Sequence, residues 1–241
     1  MKNHETDFEK RAQSLLKHLD SDGLRKKTLP RPFIIEVTGS PDSGKTTTLK
    51  ILDSFFRRQG YTVWKPLEGA EAVRRMSRKT HLYNVATGMY AMDILINHLT
   101  SGEYDLILFD RCLYDAWCWQ LYWLKKQDIS SKDAKLIQNF FARQHWRSHI
   151  DIAFFIMCNP EVAMRRDQQW SLTKKSGTFT NINTVQELFN IFKTGYNYFK
   201  TQKAPVALID TTRLNPQQVA NQVLNYALNS FERRFAKENK S

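Results

Sequence analysis

Short, continuously apolar runs alternate along most of the chain with longer segments in which apolar residues recur every three or four positions. The apolar runs predict strands buried on both faces, as in parallel sheets, and the longer segments predict helices that cover the sheet. The predicted strands cover residues 33–37, 61–65, 105–109, 152–157 and 206–209. This alternation predicts a doubly wound α/β fold, with a five-stranded parallel sheet flanked by helices.

The same pattern places the helices and divides the chain. The predicted helices cover residues 45–58, 70–78, 83–99, 113–123, 132–147, 161–169, 184–201 and 216–235. A further helix is expected between Phe8 and Leu19, and a basic linker follows it. We expect residues 1–30 to lie outside a main domain of residues 31–241. Within that domain, the polar stretch 171–183 interrupts two helical segments and predicts a mobile lid.

Composition bears on location and partners. No apolar run is long enough to span a bilayer and the first residues lack the apolar core of a signal peptide, so we expect a soluble, cytoplasmic protein without a membrane partner. Cys112, Cys118 and Cys158 form no close-spaced pair and are interpreted as reduced core thiols. The formal net charge of +12 favours anionic partners such as nucleotides, nucleic acids and acidic membranes, and charge alone does not choose among them.

A glycine-containing loop joins the first predicted strand to the helix after it. Its residues are Gly39, Ser40, Pro41, Asp42, Ser43, Gly44, Lys45 and Thr46. This spacing is that of a phosphate-binding loop, in which backbone N–H groups contact phosphate oxygens and the lysine reaches the β and γ phosphates. The partial positive charge of the helix N-terminus assists. We therefore expect the loop, together with Thr47, to bind ATP, with Lys45 acting in catalysis and Thr46 as a ligand of Mg²⁺.

Asp110 follows a buried strand, at the edge of the sheet where the loop is also expected. A carboxylate at this position can orient Mg²⁺ and its waters, and it can also cap the next helix. We expect Asp110 to serve the metal.

The segment that begins at Asp110 also carries a family resemblance. It reads Asp110-Arg111-Cys112-Leu113-Tyr114-Asp115-Ala116-Trp117 and resembles the Asp-Arg-Tyr segment of thymidylate kinases and the Glu-Arg-Ser segment of deoxynucleoside kinases. The resemblance covers about residues 32–235 and implies a P-loop kinase fold, with transfer of the γ-phosphoryl group of Mg-ATP to a nucleoside or nucleoside monophosphate. It implies that Arg111 contacts phosphate and that Arg165 and Arg166 clamp the phosphates. It also implies homodimers, which are common among related kinases.

Two departures from the family pattern concern the acceptor side. Thr38 precedes the first loop glycine where the family usually has Glu, and Glu36 lies two residues earlier. The second strand runs into Lys65-Pro66-Leu67-Glu68-Gly69, where thymidylate kinases have Arg-Glu-Pro-Gly-Gly. The acceptor is therefore not fixed by the resemblance.

Residue chemistry leaves two acceptors open. A nucleoside hydroxyl needs a base, for which Glu68 is placed, with Glu71 in reserve. A monophosphate needs arginines, and Arg74 and Arg78 are four residues apart on a predicted helix. The Asp-Arg-Tyr form of the motif favours the monophosphate slightly. An aromatic residue could stack on the base, although most aromatic side chains in such a domain belong to the core.

Three other functions compete with a small-molecule kinase. A polynucleotide kinase would use the excess positive charge to hold a nucleic-acid end. A switch ATPase would hydrolyse the nucleotide without a small acceptor. An adaptor for membranes or nucleic acids would depend on charge alone and ranks last.

Overall fold

The computed structural model describes residues 6–19, 31–170 and 181–238. Five parallel strands form one sheet in the order β2-β3-β1-β4-β5, and the α/β fold predicted from the sequence is confirmed. The strands are β1 (Phe33–Gly39), β2 (Val63–Trp64), β3 (Leu106–Asp110), β4 (Ile152–Met157) and β5 (Val206–Asp210). Because β1 is central, the loop that follows it lies between the ends of β3 and β4.

Helices cover both faces of the sheet. They are α1 (Asp7–Leu19), α2 (Lys45–Arg58), α3 (Gly69–Ala72), α4 (His81–His98), α5 (Leu113–Lys125), α6 (Ser131–Phe141), α7 (Gln144–Arg147), α8 (Pro160–Trp170), α9 (Ile182–Thr201) and α10 (Pro216–Glu238). Alternate strand residues separate two cores: Phe33 and Ile35 pack with α1, α2 and α10, whereas Ile34 packs with α4, α5, α6 and α9. This alternation explains why each strand is apolar at consecutive positions.

Two predicted helices are wrong in extent. The helix expected over residues 70–78 ends at Ala72. Most of the segment from there to Thr80 is exposed, so no buried apolar face stabilises a longer helix. The helix expected over 132–147 is broken after Phe141. Side chains of α7 donate hydrogen bonds to carbonyl oxygens near the break. Trp146 Nε1 donates to Phe140 O at 2.7 Å, and Arg147 Nε donates to Ala142 O at 3.1 Å.

The N-terminal helix packs on the main fold, in contrast to the appendage expected from sequence. Ala12 and Leu15 are buried in the core shared with α2 and α10. Arg11 donates to Glu232 Oε1 at 2.7 Å and to Asn229 Oδ1 at 2.6 Å, both on α10. The division of the chain near residue 30 stays a prediction, because the linker lies outside the described residues.

Two expectations about the whole chain can be placed on the structure. Within the described ranges, no helix is long and apolar enough to cross a membrane. All three cysteines are buried and unpaired.

Candidate active site

The phosphate-loop candidate connects the carboxyl end of β1 to α2. Gly39 has φ +133°, and a Cβ there would lie 1.9 Å from the carbonyl oxygen of Ile156 on β4, so the position requires glycine. Gly44 has φ +100° and caps α2, where a Cβ would meet nothing, so its requirement is conformational. Asp42 adopts φ 50° between them. The loop is therefore wound tightly against the sheet.

Lys45 is the first residue of α2 and its side chain turns back into the loop. Its Nζ donates to the carbonyl oxygen of Ser40 at 2.6 Å, and the residue is only 8% exposed. Burial lowers the pKa of Lys45 to about 8, and the positive charge of Arg111 acts in the same direction. The nearby carboxylates oppose this shift without cancelling it; they are those of Asp110, Asp115 and Asp42. The ammonium is thus undercompensated, and an anion bound in the loop would stabilise its charge.

Asp110 and Thr46 offer oxygen ligands at the same sheet edge. Thr46 is exposed beside the loop, and both residues line one cleft. Burial raises the pKa of Asp110, while the charge of Arg111 acts to lower it. Among the described residues there is no group of three or more Asp, Glu, His or Cys that could hold a metal. This donor set fits Mg²⁺, which is commonly bound by one or two protein oxygens together with phosphates and water.

Arg111 is the centre of an ion-pair network across the cleft. It has φ 68°, in the left-handed region. Its Nε donates to Glu68 Oε1 at 3.0 Å, and its Nη1 donates to Asp115 Oδ1 at 3.0 Å. Burial acts to lower the pKa of Arg111, but the neighbouring carboxylates outweigh burial and raise the pKa above its ordinary value. In contrast to Lys45, this arginine has its charge compensated within the protein.

Two polar side chains of β1 lie directly behind this network. The Glu36 carboxylate is fully buried and accepts backbone N–H groups of Cys112, Tyr114 and Asp115 at 2.9–3.1 Å. Burial raises the pKa of Glu36 to about 8, and the backbone hydrogen bonds act in the opposite direction. Thr38 Oγ1 donates to Asp115 Oδ1 at 2.7 Å. The two positions that depart from the family pattern therefore both contact the start of α5.

The loop and the network face one large cleft of about 1090 Å³. Two apolar groups of residues line it. One group follows β5 and consists of Leu214, Pro216 and Val219; the other lies on α5 and α9 and consists of Trp119, Leu188 and Phe192. Thr211 joins the first group to the loop, since its Oγ1 donates to Ser43 O at 2.7 Å. This volume slightly exceeds the usual range for a pocket that holds one small ligand, so the cleft has room for two.

The arginines predicted near the lid separate in the structure. Arg166 lines the cleft, and its guanidinium donates to Thr211 Oγ1 at 3.0 Å and Thr211 O at 2.8 Å. Arg165 is exposed on the same helix and does not line the cleft. Residues 171–180 of the predicted lid lie outside the described residues, and Asn181 caps α9. A phosphate clamp formed by both arginines stays a prediction.

The arginines predicted for an acceptor phosphate also separate. Arg78 lines the cleft, with its guanidinium 5.9 Å from the centre of the Tyr83 ring. Arg74 does not line the cleft; it is exposed and lies 3.9 Å from Glu71. They do not share a helical face, because α3 ends before either of them. Of the pair, only Arg78 lines the cleft.

Most of the predicted loop residues line the cleft, and Ser40 is buried beneath it with its carbonyl facing Lys45. Sequence reasoning missed Asp115, Asn84 and Thr211. Asp115 could have been found, because it is a carboxylate four residues after Arg111 in the same sequence motif. Asn84 and Thr211 belong to no motif, and only folding brings them to the cleft.

The five-stranded parallel sheet and the loop between β1 and α2 form a fold that the chain shares with a solved kinase. A solved deoxyadenosine kinase from M. mycoides with bound dCTP superposes with a TM-score of 0.58 and 15% sequence identity, covering 82% of this chain and 100% of that one. This similarity confirms the fold and the predicted resemblance to deoxynucleoside kinases. No protein-family model matches the chain, and no curated protein matches its sequence.

Proposed function

We propose that this protein transfers the γ-phosphoryl group of Mg-ATP to a hydroxyl group of a nucleoside. The observation that carries this proposal is the Arg111–Glu68 ion pair at 3.0 Å, which holds a carboxylate in the same cleft as the phosphate-loop candidate. The structural similarity to a deoxyadenosine kinase supports a nucleoside-kinase type of chemistry.

On the donor side, the loop N–H groups and Lys45 would hold the ATP phosphates. Thr46 and Asp110 would hold Mg²⁺, which when bound neutralises charge on the phosphates. The apolar residues after β5 would contact the adenine, since Thr211 places them beside the loop. Arg166, held by its hydrogen bonds to Thr211, would contact the transferred phosphoryl group.

On the acceptor side, Glu68 would accept the proton of the attacking hydroxyl. The hydroxyl oxygen would bond to the γ-phosphorus as the bond between that phosphorus and the ADP oxygen breaks. Arg111 would orient this carboxylate. Arg111 pairs with two carboxylates, those of Glu68 and Asp115, so their combined negative charge exceeds its single positive charge. An uncharged acceptor is compatible with that balance, whereas a dianionic phosphate would meet net repulsion from these three groups.

A nucleoside monophosphate is the second candidate, and one observation favours it: Arg78 lines the cleft. With Arg111, it could bind an acceptor phosphate. Arg74 would not contribute from its observed position.

The test is a panel assay. Purified protein is mixed with Mg-ATP labelled on the γ-phosphate, and transfer to each common nucleoside and nucleoside monophosphate is measured. Labelled nucleoside monophosphate is the expected product. Transfer only to monophosphates would replace the proposal with the second candidate, and transfer only to polynucleotide ends would indicate a polynucleotide kinase. ADP release independent of every acceptor would indicate a switch ATPase.

A further inference from the structure

Glu36 is a buried carboxylate to which the proposed chemistry gives no role. It is fully buried near the middle of β1, two residues before Thr38 and on the same face of the strand. A carboxylate in the interior is costly unless its oxygens accept hydrogen bonds. The hydrogen bonds that the Glu36 side chain accepts are donated by backbone N–H groups at the start of α5.

These bonds replace an ordinary helix cap. Cys112, at the N-cap position of α5, makes no side-chain capping bond. Glu36 Oε1 instead accepts the N–H groups of Cys112 at 3.0 Å and Asp115 at 2.9 Å, and Oε2 accepts that of Tyr114 at 3.1 Å. A residue of one strand thereby satisfies the free N–H groups of a helix that begins 77 residues later in the sequence, at Leu113.

The same bonds bracket Arg111. The N–H of Arg111 donates to the carbonyl oxygen of Val37 at 3.1 Å, and the next N–H, that of Cys112, donates to Glu36. The residue between these two bonds has φ 68°, a conformation that a side chain other than glycine keeps only when its surroundings hold it. Two consecutive residues of β1 therefore hold the backbone on both sides of Arg111.

Glu36 also fixes the partner of Arg111. The backbone of Asp115 is bonded to Glu36, and its side chain accepts from Thr38 Oγ1 at 2.7 Å and Arg111 Nη1 at 3.0 Å. Both members of the Arg111–Asp115 pair are thus attached to the strand that carries the phosphate loop.

We propose that Glu36, assisted by Thr38, is a positioning residue that sets the conformation of Arg111 and so places Glu68 against the acceptor. The proposal rests on the proposed function for its kinetic consequence, but its structural content does not depend on the acceptor. Glu36 contacts no substrate in this scheme; it acts through Arg111.

The test is a double-mutant cycle of Glu36→Gln with Arg111→Ala. An amide group can accept on only one of its two polar atoms, so the variant loses at least one backbone bond. We expect kcat to fall by about tenfold to a hundredfold through misplacement, with little change in the KM for ATP. In the Arg111→Ala background, Glu36→Gln is expected to have no further effect on kcat. Independent, multiplying losses or an unchanged kcat would overturn the proposal.

Asp151→Asn is the matched control. Asp151 is another carboxylate bonded to a β1 backbone group, the N–H of Ile34 at 2.8 Å, and it also pairs with Arg31 at 2.8 Å. It adjoins the opposite end of β1 from the phosphate loop. We expect this variant to lower the unfolding temperature while leaving kcat unchanged. Equal losses of kcat in the two variants would show that Glu36 acts through stability alone, against the proposal.

A second measurement keeps the test independent of activity. Hydrogen exchange of the Cys112, Tyr114 and Asp115 amides should be slow in the wild type and faster in Glu36→Gln. Thr38→Val supplies the weaker variant if Glu36→Gln does not fold, and it should lower kcat with the same coupling to Arg111. Failure of the wild type to phosphorylate any acceptor would refute the proposed function, and unchanged amide exchange in Glu36→Gln would refute the positioning role.

Discussion

The two sides of the cleft are built in different ways. The proposed donor side is a continuous stretch from Gly39 to Thr47 whose backbone is wound between one strand and one helix. The proposed acceptor side joins side chains from distant segments through ion pairs: Glu68 before α3, Arg111 after β3 and Asp115 on α5. A backbone site is determined by local sequence, whereas a side-chain site is determined by the packing of whole elements. The acceptor side can therefore differ among related folds while the donor side is kept.

The two sides also differ in electrostatics. Burial, followed by the positive charge of Arg111, lowers the pKa of Lys45 to about 8, and the nearby carboxylates do not offset this. Carboxylates raise the pKa of Arg111. A bound triphosphate would compensate the lysine, whereas the arginine is already compensated. Under the proposed function, the loop side would therefore suit an anion, and the side around Arg111 would suit a neutral group.

Removal of the lysine is expected to have the largest effect. Lys45→Ala should lower the rate of phosphoryl transfer by about a thousandfold, because the variant lacks the ammonium proposed to stabilise charge on the transferred phosphate. The measurement is steady-state transfer of labelled phosphate, with circular dichroism to verify folding. Lys50→Ala, on the exposed face of the same helix, is the matched control and should retain wild-type turnover. Wild-type turnover in a folded Lys45→Ala protein would refute the donor side as described.

The contrast explains what the sequence could predict. The loop, α2 and the strand that ends at Asp110 were all predicted, because spacing and apolar runs are local features. The predicted placement of Arg74 and Arg78 on one helical face is wrong, since the helix predicted over residues 70–78 stops at Ala72; Arg78 lines the cleft and Arg74 does not. No local pattern indicates that Glu36 caps a helix so distant in sequence.

Glu68→Gln tests the acceptor side most directly. If the acceptor is a nucleoside, kcat should fall by about a hundredfold because the base is lost, with little change in the acceptor KM. Glu71→Gln is the matched control. Because Glu71 is exposed outside the cleft, this substitution should leave kcat unchanged. A mild effect of Glu68→Gln would favour the monophosphate, whose ionised oxygen needs no base.

The pKa of Lys45 predicts a pH dependence on the donor side. If the protonated lysine binds phosphate as proposed, affinity for ATP should fall as pH rises through about 8, by at most about tenfold per pH unit. Calorimetric titration between pH 7 and 9 measures this. In Lys45→Met the affinity should be weaker and flat across that range. The same shift makes the contribution of Lys45 to folding stability rise with pH between about 8 and its ordinary value of 10.5, because the unfolded chain then binds more protons. A pronounced pH dependence of ATP affinity in Lys45→Met would assign the effect on affinity to another group.

The smallest expected effect separates the two acceptors by charge. Arg78 lines the cleft and contacts the Tyr83 ring, so Arg78→Ala removes the one positive charge of the predicted acceptor pair that lies where an acceptor phosphate could bind. For a nucleoside, its loss should raise the acceptor KM by no more than about fivefold, as for an exposed charge without a buried partner. For a monophosphate, loss of a charge-assisted hydrogen bond should raise that KM about tenfold or more. Arg74→Ala is the matched control and should leave the KM of either acceptor unchanged, because Arg74 does not line the cleft. An equal rise in KM for the two variants would mean that both arginines reach the acceptor, against the separation between them in the structure.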